Sequence, residues 1–274
     1  MSTHSPFPFV ASRNMTKRLH ASVNCDMGEG FSLYTIGDDE SLMKTIHLAN
    51  IACGFHASDF SIMNKTVALA KLNNVKVGAH PSLPDLQGFG RREMNIEPEE
   101  LMSCFIYQVG ALYGFLKLYG LPLNHLKPHG AVYAQTARSL PLARAAVKVI
   151  RVFAKSQAED IAFVGLAGTS HQVAAEEAGV KFIPEWFADL DYSAEGKLII
   201  TQKHAPVHLE VVRKRVETLL SSHQITTIDG SHLPLGDNLT EVSICCHSDT
   251  PGAVEIAQMV KSIVDESNQG GGYI

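Results

Sequence analysis

Ile51-Ala52-Cys53-Gly54-Phe55-His56 is a short apolar run that ends in a histidine. The same pattern recurs at residues 77–80, 126–129 and 244–247, and the first apolar run of the chain ends in Asn24-Cys25-Asp26. Longer stretches with helical patterns separate these runs. Because short β-rich runs that alternate with helical patterns are typical of βα units around a parallel sheet, the sequence predicts an α/β fold.

Seven apolar runs predict the strands of that sheet. They are His20–Cys25, Asn50–Phe55, Val75–Ala79, Asn124–Lys127, Ile161–Leu166, Lys181–Phe187 and Glu241–Cys246. The stretches between them predict helices at Asp38–Leu48, Ser58–Asn73, Glu97–Tyr119, Ser139–Ser156, Thr169–Ala178, His208–Ser222 and Thr250–Glu266. Three further segments, at residues 81–95, 189–207 and 226–238, predict loops or small hairpins.

The domain organisation follows from the length and from the uniform composition. The chain has 274 residues, with no linker or composition shift along it, and this length is normal for one α/β barrel. Residues 20–267 are therefore predicted to form a single β/α barrel domain. Residues 1–19 are predicted to be a disordered tail, and the Gly-rich residues 268–274 a flexible one.

Charge and cysteine usage narrow the class of protein. With 23 Lys+Arg and 28 Asp+Glu the formal charge is −5, which argues against nucleic-acid binding because such domains carry a basic excess. The five cysteines form no CxxC pair, as is typical of a reducing compartment, here the cytoplasm.

Two stretches bear on targeting. The most apolar stretch, Leu101–Leu116, is shorter than the roughly 20 residues that span a bilayer, so no membrane segment is expected. The first 20 residues contain no acidic residue, which leaves a mitochondrial presequence as the alternative to a cytoplasmic location.

Polar residues at the strand ends form the candidate active site, because an α/β barrel carries its active site at the carboxyl ends of its strands. The residues predicted to meet there are Asp26, His56, His80, His129 and His247. For any one histidine the alternative is a strand-end residue whose hydrogen bonds are simply satisfied. Five coincident placements favour one shared site.

Three loop residues add charge beside those strand ends. Glu29 follows Asp26 by three residues, and the two carboxylates either divide acid and base roles, hold a cation or cap a turn. Arg91 lies in a glycine-containing loop at residues 84–92 and suits an anionic substrate, although an ordinary exposed loop carries similar charges. Asp249 either caps the last helix or orients a neighbouring group.

Six ordered segments together resemble the signature segments of the LamB/YcsF family. They are Asn24–Gly30, Ala49–His56, Gly78–Pro81, Asp85–Arg91, Lys127–Ala131 and Asp249–Val254. The resemblance runs from Ser22 to the last predicted helix. It implies an irregular seven-stranded β/α barrel of the kind shared with glycoside hydrolases and polysaccharide deacetylases, and the seven predicted strands agree with that barrel.

The resemblance also implies an activity: the ATP-dependent opening of the lactam 5-oxo-L-proline to L-glutamate, performed together with two other subunits, B and C. The implied cofactor is ATP with Mg²⁺. The implied catalytic residues are Asp26, Glu29, His56, His80, His129, His247 and Asp249. In this scheme the histidines move protons, and a carboxylate activates water or holds magnesium. Asn24, Lys127 and Arg91 bind the substrate or offset phosphate charge.

Two departures from the family pattern concern arginines. The family usually shows Phe-Ala-Asp-Arg after the sixth strand, where this chain has Leu190, and a second expected arginine is replaced near Thr201. Loss of two guanidinium groups weakens anion binding. The departures therefore allow a different lactam or a lower activity.

Two other functions remain open. A metal-dependent deacetylase or amidohydrolase that acts without ATP would use Asp26, His56 and His80 as ligands of a divalent metal. A non-catalytic lactam-binding or scaffold subunit would agree with the missing arginines. Association of identical copies into a homo-oligomer is also left open.

Overall fold

Seven parallel strands close into a barrel at the centre of the molecule. The computed structural model describes residues 19–154, 161–199, 206–235 and 239–270. Its strands are β1 (His20–Met27), β2 (Leu48–Ala52), β3 (Lys76–His80), β4 (His125–Leu126), β5 (Ala162–Leu166), β6 (Phe182–Phe187), β7 (Asp191–Tyr192), β8 (Leu198–Ile199), β9 (Gln224–Thr226), β10 (His232–Pro234) and β11 (Glu241–Cys246). Around the barrel the order is β1, β2, β3, β4, β5, β6 and β11, which pairs with β1 again.

The predicted seven-stranded α/β barrel is confirmed, and each predicted run overlaps a barrel strand. The main shift concerns β2, which begins two residues earlier than expected and ends at Ala52. Beyond it the Gly54 amide donates to the Ala57 carbonyl, so the chain turns and strand pairing stops. His56 consequently lies in a loop. The antiparallel pairs β7–β8 and β9–β10 lie in or beside the segments predicted as hairpins.

Eight described helices surround the barrel. They are α1 (Asp39–Leu42), α2 (Phe60–Leu72), α3 (Pro98–Tyr119), α4 (Gly130–Arg138), α5 (Leu140–Phe153), α6 (Ser170–Glu177), α7 (Leu209–Ser222) and α8 (Ala253–Gln269). The predicted helix at 38–48 was too long, because Leu48 already pairs in β2. The short α4 was not predicted, since it begins at a glycine and spans only nine residues.

The structure corrects the predicted start of the C-terminal tail, which was placed at residue 268. Helix α8 continues to Gln269, because the Asn268 side chain holds it against β1: its amide donates to the Ala21 carbonyl at 2.8 Å and its oxygen accepts from the Ala21 amide at 3.1 Å. The rest of the two predicted tails, residues 1–18 and 271–274, lies outside the described residues.

Helix α3 is longer than the apolar stretch from which no membrane segment was expected. Its 22 residues are long and apolar enough to cross a membrane by length and composition, and among the described helices only α3 meets that criterion. In the fold α3 packs against α2 and α5. One of its faces, which includes Leu101, Phe105 and Leu112, is completely buried in the core. The apolar residues of α3 therefore pack into the core from the layer of helices that surrounds the barrel.

Buried polar side chains form a hydrogen-bond network inside the barrel below the strand ends. The Asn50 amide donates to Asn24 Oδ1 at 2.8 Å, the Asn24 amide donates to Ser243 Oγ at 2.8 Å, and His125 Nε2 lies 2.7 Å from Asn50 Oδ1. All four side chains are buried. Gly78 makes room for this network, since a Cβ at that position would lie 2.2 Å from the His125 ring. The pairing of β3 with β4 thus requires a glycine opposite the imidazole.

We predict that Gly78→Ala lowers the free energy of unfolding by about 2–4 kcal/mol, because the added methyl group displaces His125 and breaks its hydrogen bond to Asn50. Gly110→Ala is the matched control. No atom lies within 4 Å of a Cβ at Gly110, and alanine in this exposed helical position should raise stability by about 0.5–1 kcal/mol. Urea denaturation of both variants measures the difference. Equal midpoints would contradict the proposed fit between Gly78 and His125.

Candidate active site

The barrel brings the predicted site residues to one end. Asp26 and His80 lie near or at the ends of β1 and β3, and His56, His129 and His247 follow the ends of β2, β4 and β11. Asp26, His56, His80 and His129 are all at most 5% exposed. Their convergence is what a closed parallel barrel imposes on residues at its carboxyl ends.

Three imidazoles and a carboxylate form one tight group, which we call the histidine cluster: His56, His80, His129 and Glu29. One ligand-type atom from each lies within 4.8 Å of the others. His56 Nε2 is 3.0 Å from Glu29 Oε1, and His129 Nδ1 is 2.9 Å from His80 Nε2. The rings of His56 and His129 stack with centroids 3.7 Å apart.

Asp26 connects the histidine cluster to a buried ion-pair network. Its carboxylate lies 3.2 Å from His80 Nε2 and 2.9 Å from Lys127 Nζ, and it accepts a hydrogen bond from the Asn50 amide at 2.7 Å. Lys127 Nζ is also 2.8 Å from Glu185 Oε1. The Lys127 ammonium is therefore balanced by two carboxylates inside the barrel.

These contacts set the charge states of the network. Burial alone would raise the pKa of Asp26, but His80 and Lys127 together lower it well below its ordinary value. Burial alone would lower the pKa of Lys127, yet Asp26, Cys245 and Glu185 raise it well above its ordinary value. Asp26 and Lys127 are thus held as an ion pair at neutral pH.

The stacked histidines His56 and His129 are neutral, unlike the charged groups of the ion-pair network. Burial, reinforced by neighbouring histidines, lowers the pKa of His56 and of His129 well below the ordinary value. Both rings are neutral at physiological pH, so each keeps one nitrogen lone pair. Burial also raises the pKa of Glu29, although His129 partly opposes the shift.

A second imidazole–carboxylate pair lies beside Asp26. His247 Nδ1 is 3.0 Å from Asp189 Oδ1, and the other Asp189 oxygen accepts from the His247 amide and from the Thr250 hydroxyl. Burial opposes the charge on His247, but Asp189 raises its pKa to about 9. Burial likewise opposes the charge on Asp189, whose pKa is nevertheless lowered to about 2, chiefly by His247. His247 is a cation at neutral pH.

Arg91 and Asp249 lie at the more open side of the site. Arg91 Nη2 donates to Asp249 Oδ2 at 2.8 Å, and the two side chains are 12% and 17% exposed. The loop that carries Arg91 packs closely on the histidine cluster, because a Cβ at Gly90 would lie 2.8 Å from atoms of both His56 and His129. Gly90 also has a φ of 65°, which favours glycine.

Sequence reasoning missed several residues of the site. Asn50, Glu185, Cys245 and Asp189 each contact Asp26, Lys127 or His247. Glu185 carried a usable signal, because it is a charged residue inside the apolar run at 181–187. Asn50 and Asp189 also carried one, because Asn50 lies in the family-like segment Ala49–His56 and Asp189 is the aspartate of the Phe-Ala-Asp stretch. Cys245 lacked one, since it is one apolar residue in a predicted strand.

The two departures from the family pattern have different outcomes. Leu190 is 7% exposed and belongs to the main apolar core, and its carbonyl accepts from Arg215 Nη1 at 3.1 Å. The position is therefore built for an apolar side chain in this protein. Thr201 lies outside the described residues.

The chain is similar to known proteins over most of its length. The profile of the LamB/YcsF family matches residues 21–270. A lactam utilization protein lamB from Emericella nidulans is 46% identical over 253 residues, which are 92% of this chain and 97% of that protein. The A subunit of 5-oxoprolinase from Pyrococcus horikoshii is 42% identical over 250 residues, 90% of this chain and 95% of that protein. The crystal structure of a lactam utilization protein from Thermus thermophilus has a TM-score of 0.80 at 33% identity, covering 91% of this chain and 97% of that one.

We predict a pH-dependent contribution of the His247–Asp189 pair to stability. Because the folded-state pKa of His247 is about 9 and the unfolded value is about 6.5, the pair stabilises the fold fully below about pH 6.5 and loses that effect as pH rises through about 9. The full loss is about 3 kcal/mol. Urea denaturation from pH 6 to 9.5 should show this decline in the wild type and a flat profile in His247→Asn. The exposed His232 provides the control His232→Asn, and parallel curves for wild type and His247→Asn would refute the assignment.

We predict that Leu190→Arg destabilises the protein by about 3 kcal/mol, because it buries an unpaired charge in the apolar core. Leu190→Met keeps the volume and should cost less than about 1.5 kcal/mol. Thermal and urea unfolding of the two variants supply the comparison. An arginine variant as stable as the methionine variant would show that the position accepts the family's usual residue.

Proposed function

The chain belongs to the LamB/YcsF family, and we propose that it is the A subunit of a 5-oxoprolinase, which opens the lactam ring of 5-oxo-L-proline to give L-glutamate with hydrolysis of ATP. The relatives named for lactam utilization and for 5-oxoprolinase support the substrate class. The observation that carries the proposal is an ionised Asp26, held between Lys127 and His80 at the end of a barrel. A carboxylate in that state can accept a proton from water.

The chemistry of a lactam explains why ATP is needed. An amide carbonyl is a poor electrophile, and transfer of a phosphoryl group to the amide oxygen makes the ring carbon open to attack by water. The ring carbon–nitrogen bond then breaks, the nitrogen takes up a proton, and the side-chain carboxyl group is left as an acyl phosphate. A second water hydrolyses this acyl phosphate and releases inorganic phosphate. Glutamate, ADP and phosphate are the products.

The two imidazole environments divide the proton transfers. Asp26, assisted by its contact with His80, accepts the proton of the attacking water. His247, which Asp189 keeps cationic, supplies the proton to the departing nitrogen. One site thus offers a base and an acid in the charge states that neutral pH requires.

The anion-binding roles fall mainly on Arg91. Its guanidinium lies at the more open side of the site against Asp249 and can hold the lactam carboxylate or a phosphate. The Lys127 ammonium already faces Asp26 and Glu185. Lys127 therefore acts on the reaction by keeping Asp26 ionised.

Resident Mg²⁺ does not fit the residues present. Mg²⁺ prefers an octahedral set of oxygen ligands, whereas the histidine cluster offers three imidazoles and one carboxylate. Asp26 is occupied by Lys127, His80 and Asn50. In this proposal Mg²⁺ accompanies ATP and is not held by these residues.

The proposal includes partners and a location. We propose that the chain works with subunits B and C, since its relatives are named as one lettered subunit of a larger enzyme. All five cysteines carry free thiols, which agrees with a reducing cytoplasm.

A second candidate function is an amidohydrolase that uses a bound metal and no ATP. The histidine cluster favours it, because imidazole and carboxylate ligands are typical of catalytic zinc sites. The two functions differ in one requirement. Release of glutamate without ATP supports the amidohydrolase, and strict dependence on ATP supports the 5-oxoprolinase.

The decisive assay measures ADP and glutamate release from 5-oxo-L-proline and ATP, with this protein alone and with candidate B and C subunits. We expect equal amounts of ADP and glutamate in the assembled enzyme. A complete assembly that releases neither product would overturn the proposed function. Products that appear at equal rates with and without this chain would show that it does not take part in ring opening.

We predict that Asp26→Asn lowers kcat of the assembled enzyme by about 10²–10⁴-fold, since the amide cannot accept a proton from water. The fold should persist, because asparagine still offers an oxygen to Asn50 and Lys127 keeps its contact with Glu185. Asp229→Asn, in the exposed turn between β9 and β10, is the matched control and should leave kcat unchanged. If Asp26→Asn loses activity only in proportion to its loss of folded protein, Asp26 is structural.

A further inference from the structure

Two buried imidazoles in the histidine cluster point ring nitrogens at each other. His80 Nδ1 lies 2.8 Å from the Lys127 carbonyl, and His129 Nε2 lies 2.9 Å from the Phe89 carbonyl. A carbonyl oxygen only accepts hydrogen bonds, so both of these nitrogens carry the ring proton. The remaining nitrogens, His80 Nε2 and His129 Nδ1, lie only 2.9 Å apart, so at most one of them can carry a proton.

Carboxylate oxygens crowd the same point. Glu29 Oε1 is 3.5 Å from His129 Nδ1, and Asp26 Oδ2 is 3.2 Å from His80 Nε2. Four electron-rich atoms thus converge in a region where every contributing side chain is buried. Such an arrangement is unfavourable unless a proton or a metal cation lies among the atoms.

The surroundings of these atoms match those of a metal site. Histidine ligands of metals usually donate their second ring N–H to a carbonyl or carboxylate, and ligating carboxylates are themselves hydrogen-bonded. His80 and His129 both donate to backbone carbonyls. Glu29 is held through both oxygens, by His56 Nε2 at 3.0 Å and by the Ser248 hydroxyl at 3.2 Å.

His56 belongs to the supporting residues rather than to the ligands. Its ring is stacked on His129 at 3.7 Å with an angle of 7° between the planes, so one ion cannot lie in the plane of both rings. His56 Nδ1 is buried and makes no hydrogen bond. The ring proton therefore lies on Nε2, which donates a hydrogen bond to Glu29 Oε1.

From these contacts we propose that the protein binds one divalent first-row transition metal ion of the zinc class, with His80 Nε2, His129 Nδ1 and a Glu29 carboxylate oxygen as ligands. Two imidazoles and one carboxylate leave at least one coordination position for water or substrate. Ligand atoms in a tetrahedral zinc site lie about 3.4 Å apart, close to the 2.9 Å and 3.5 Å found here. A bound ion of this class supplies Lewis acidity to an amide carbonyl.

Metal binding can be tested without ATP or lactam, so its outcome is independent of the proposed ring opening. The full-length protein is stripped with a chelator, dialysed against micromolar Zn²⁺ or millimolar Mg²⁺, and analysed for bound metal and for thermal stability. Co²⁺ is added separately, because its visible absorption reports nitrogen and oxygen ligation. We expect about one Zn²⁺ or Co²⁺ per chain, a raised Tm with Zn²⁺ and no bound Mg²⁺.

Variants assign the ligands. His129→Gln and Glu29→Gln should each weaken Zn²⁺ and Co²⁺ binding by at least about tenfold, whereas His232→Gln, at an exposed histidine, should bind like the wild type. Circular dichroism identifies any variant that fails to fold, and the wild-type stoichiometry decides the question by itself. Wild-type protein that binds no Zn²⁺ or Co²⁺, folded ligand variants that retain full binding, or displacement of Zn²⁺ by millimolar Mg²⁺ would each overturn the proposal.

Discussion

The ion pairs of Lys127 are the constraint on which the rest of the structure depends. The ammonium follows β4, and it meets Asp26 from β1 and Glu185 from β6 inside the barrel. A buried charge is tolerated only when it is paired, and removal of one partner of such a pair typically costs about 3–5 kcal/mol. The three strands are therefore held at the distance that this network requires. The same contacts keep Asp26 ionised. The ion pairs that connect the strands therefore also set the charge of the proposed catalytic base.

Below that network, buried polar side chains inside the barrel are held by hydrogen bonds to one another. A continuous set of buried hydrogen bonds joins Asn24, Asn50, His125 and Ser243, and the Asn50 amide also donates to Asp26. Burying these groups is unfavourable unless each finds a partner. Because the partners come from neighbouring or opposite strands, the network fixes where Asp26 lies as well as its charge. Gly78 is the steric counterpart of this arrangement, since any larger residue would collide with His125.

Burial produces two kinds of histidine within the same site. His56 and His129 are neutral because they are buried among other imidazoles, whereas His247 is cationic because Asp189 faces it. The neutral rings offer lone pairs, which suit a metal ion or a proton. The cationic ring offers a proton. Pairs of titratable groups whose environments move their pKa values apart are characteristic of acid–base sites, and here a single barrel mouth holds both environments.

The local pattern of the sequence determined the strands, most of the helices and the end of the barrel at which the site lies. These follow from periodicity and from the rule that parallel strands present their carboxyl ends on one side, so the meeting of His56, His80 and His129 could be predicted. The partners that set the charge states of Lys127 and His247 could not be predicted from the sequence. Glu185 meets Lys127, and Asp189 meets His247, across stretches of 58 residues in each case. Only closure of the barrel brings such groups within hydrogen-bond distance, because pattern along the chain carries no information about which distant side chains share an interior. Leu190 shows the same limit: its sequence position suggested a lost anion contact, and the tertiary structure places it in the apolar core.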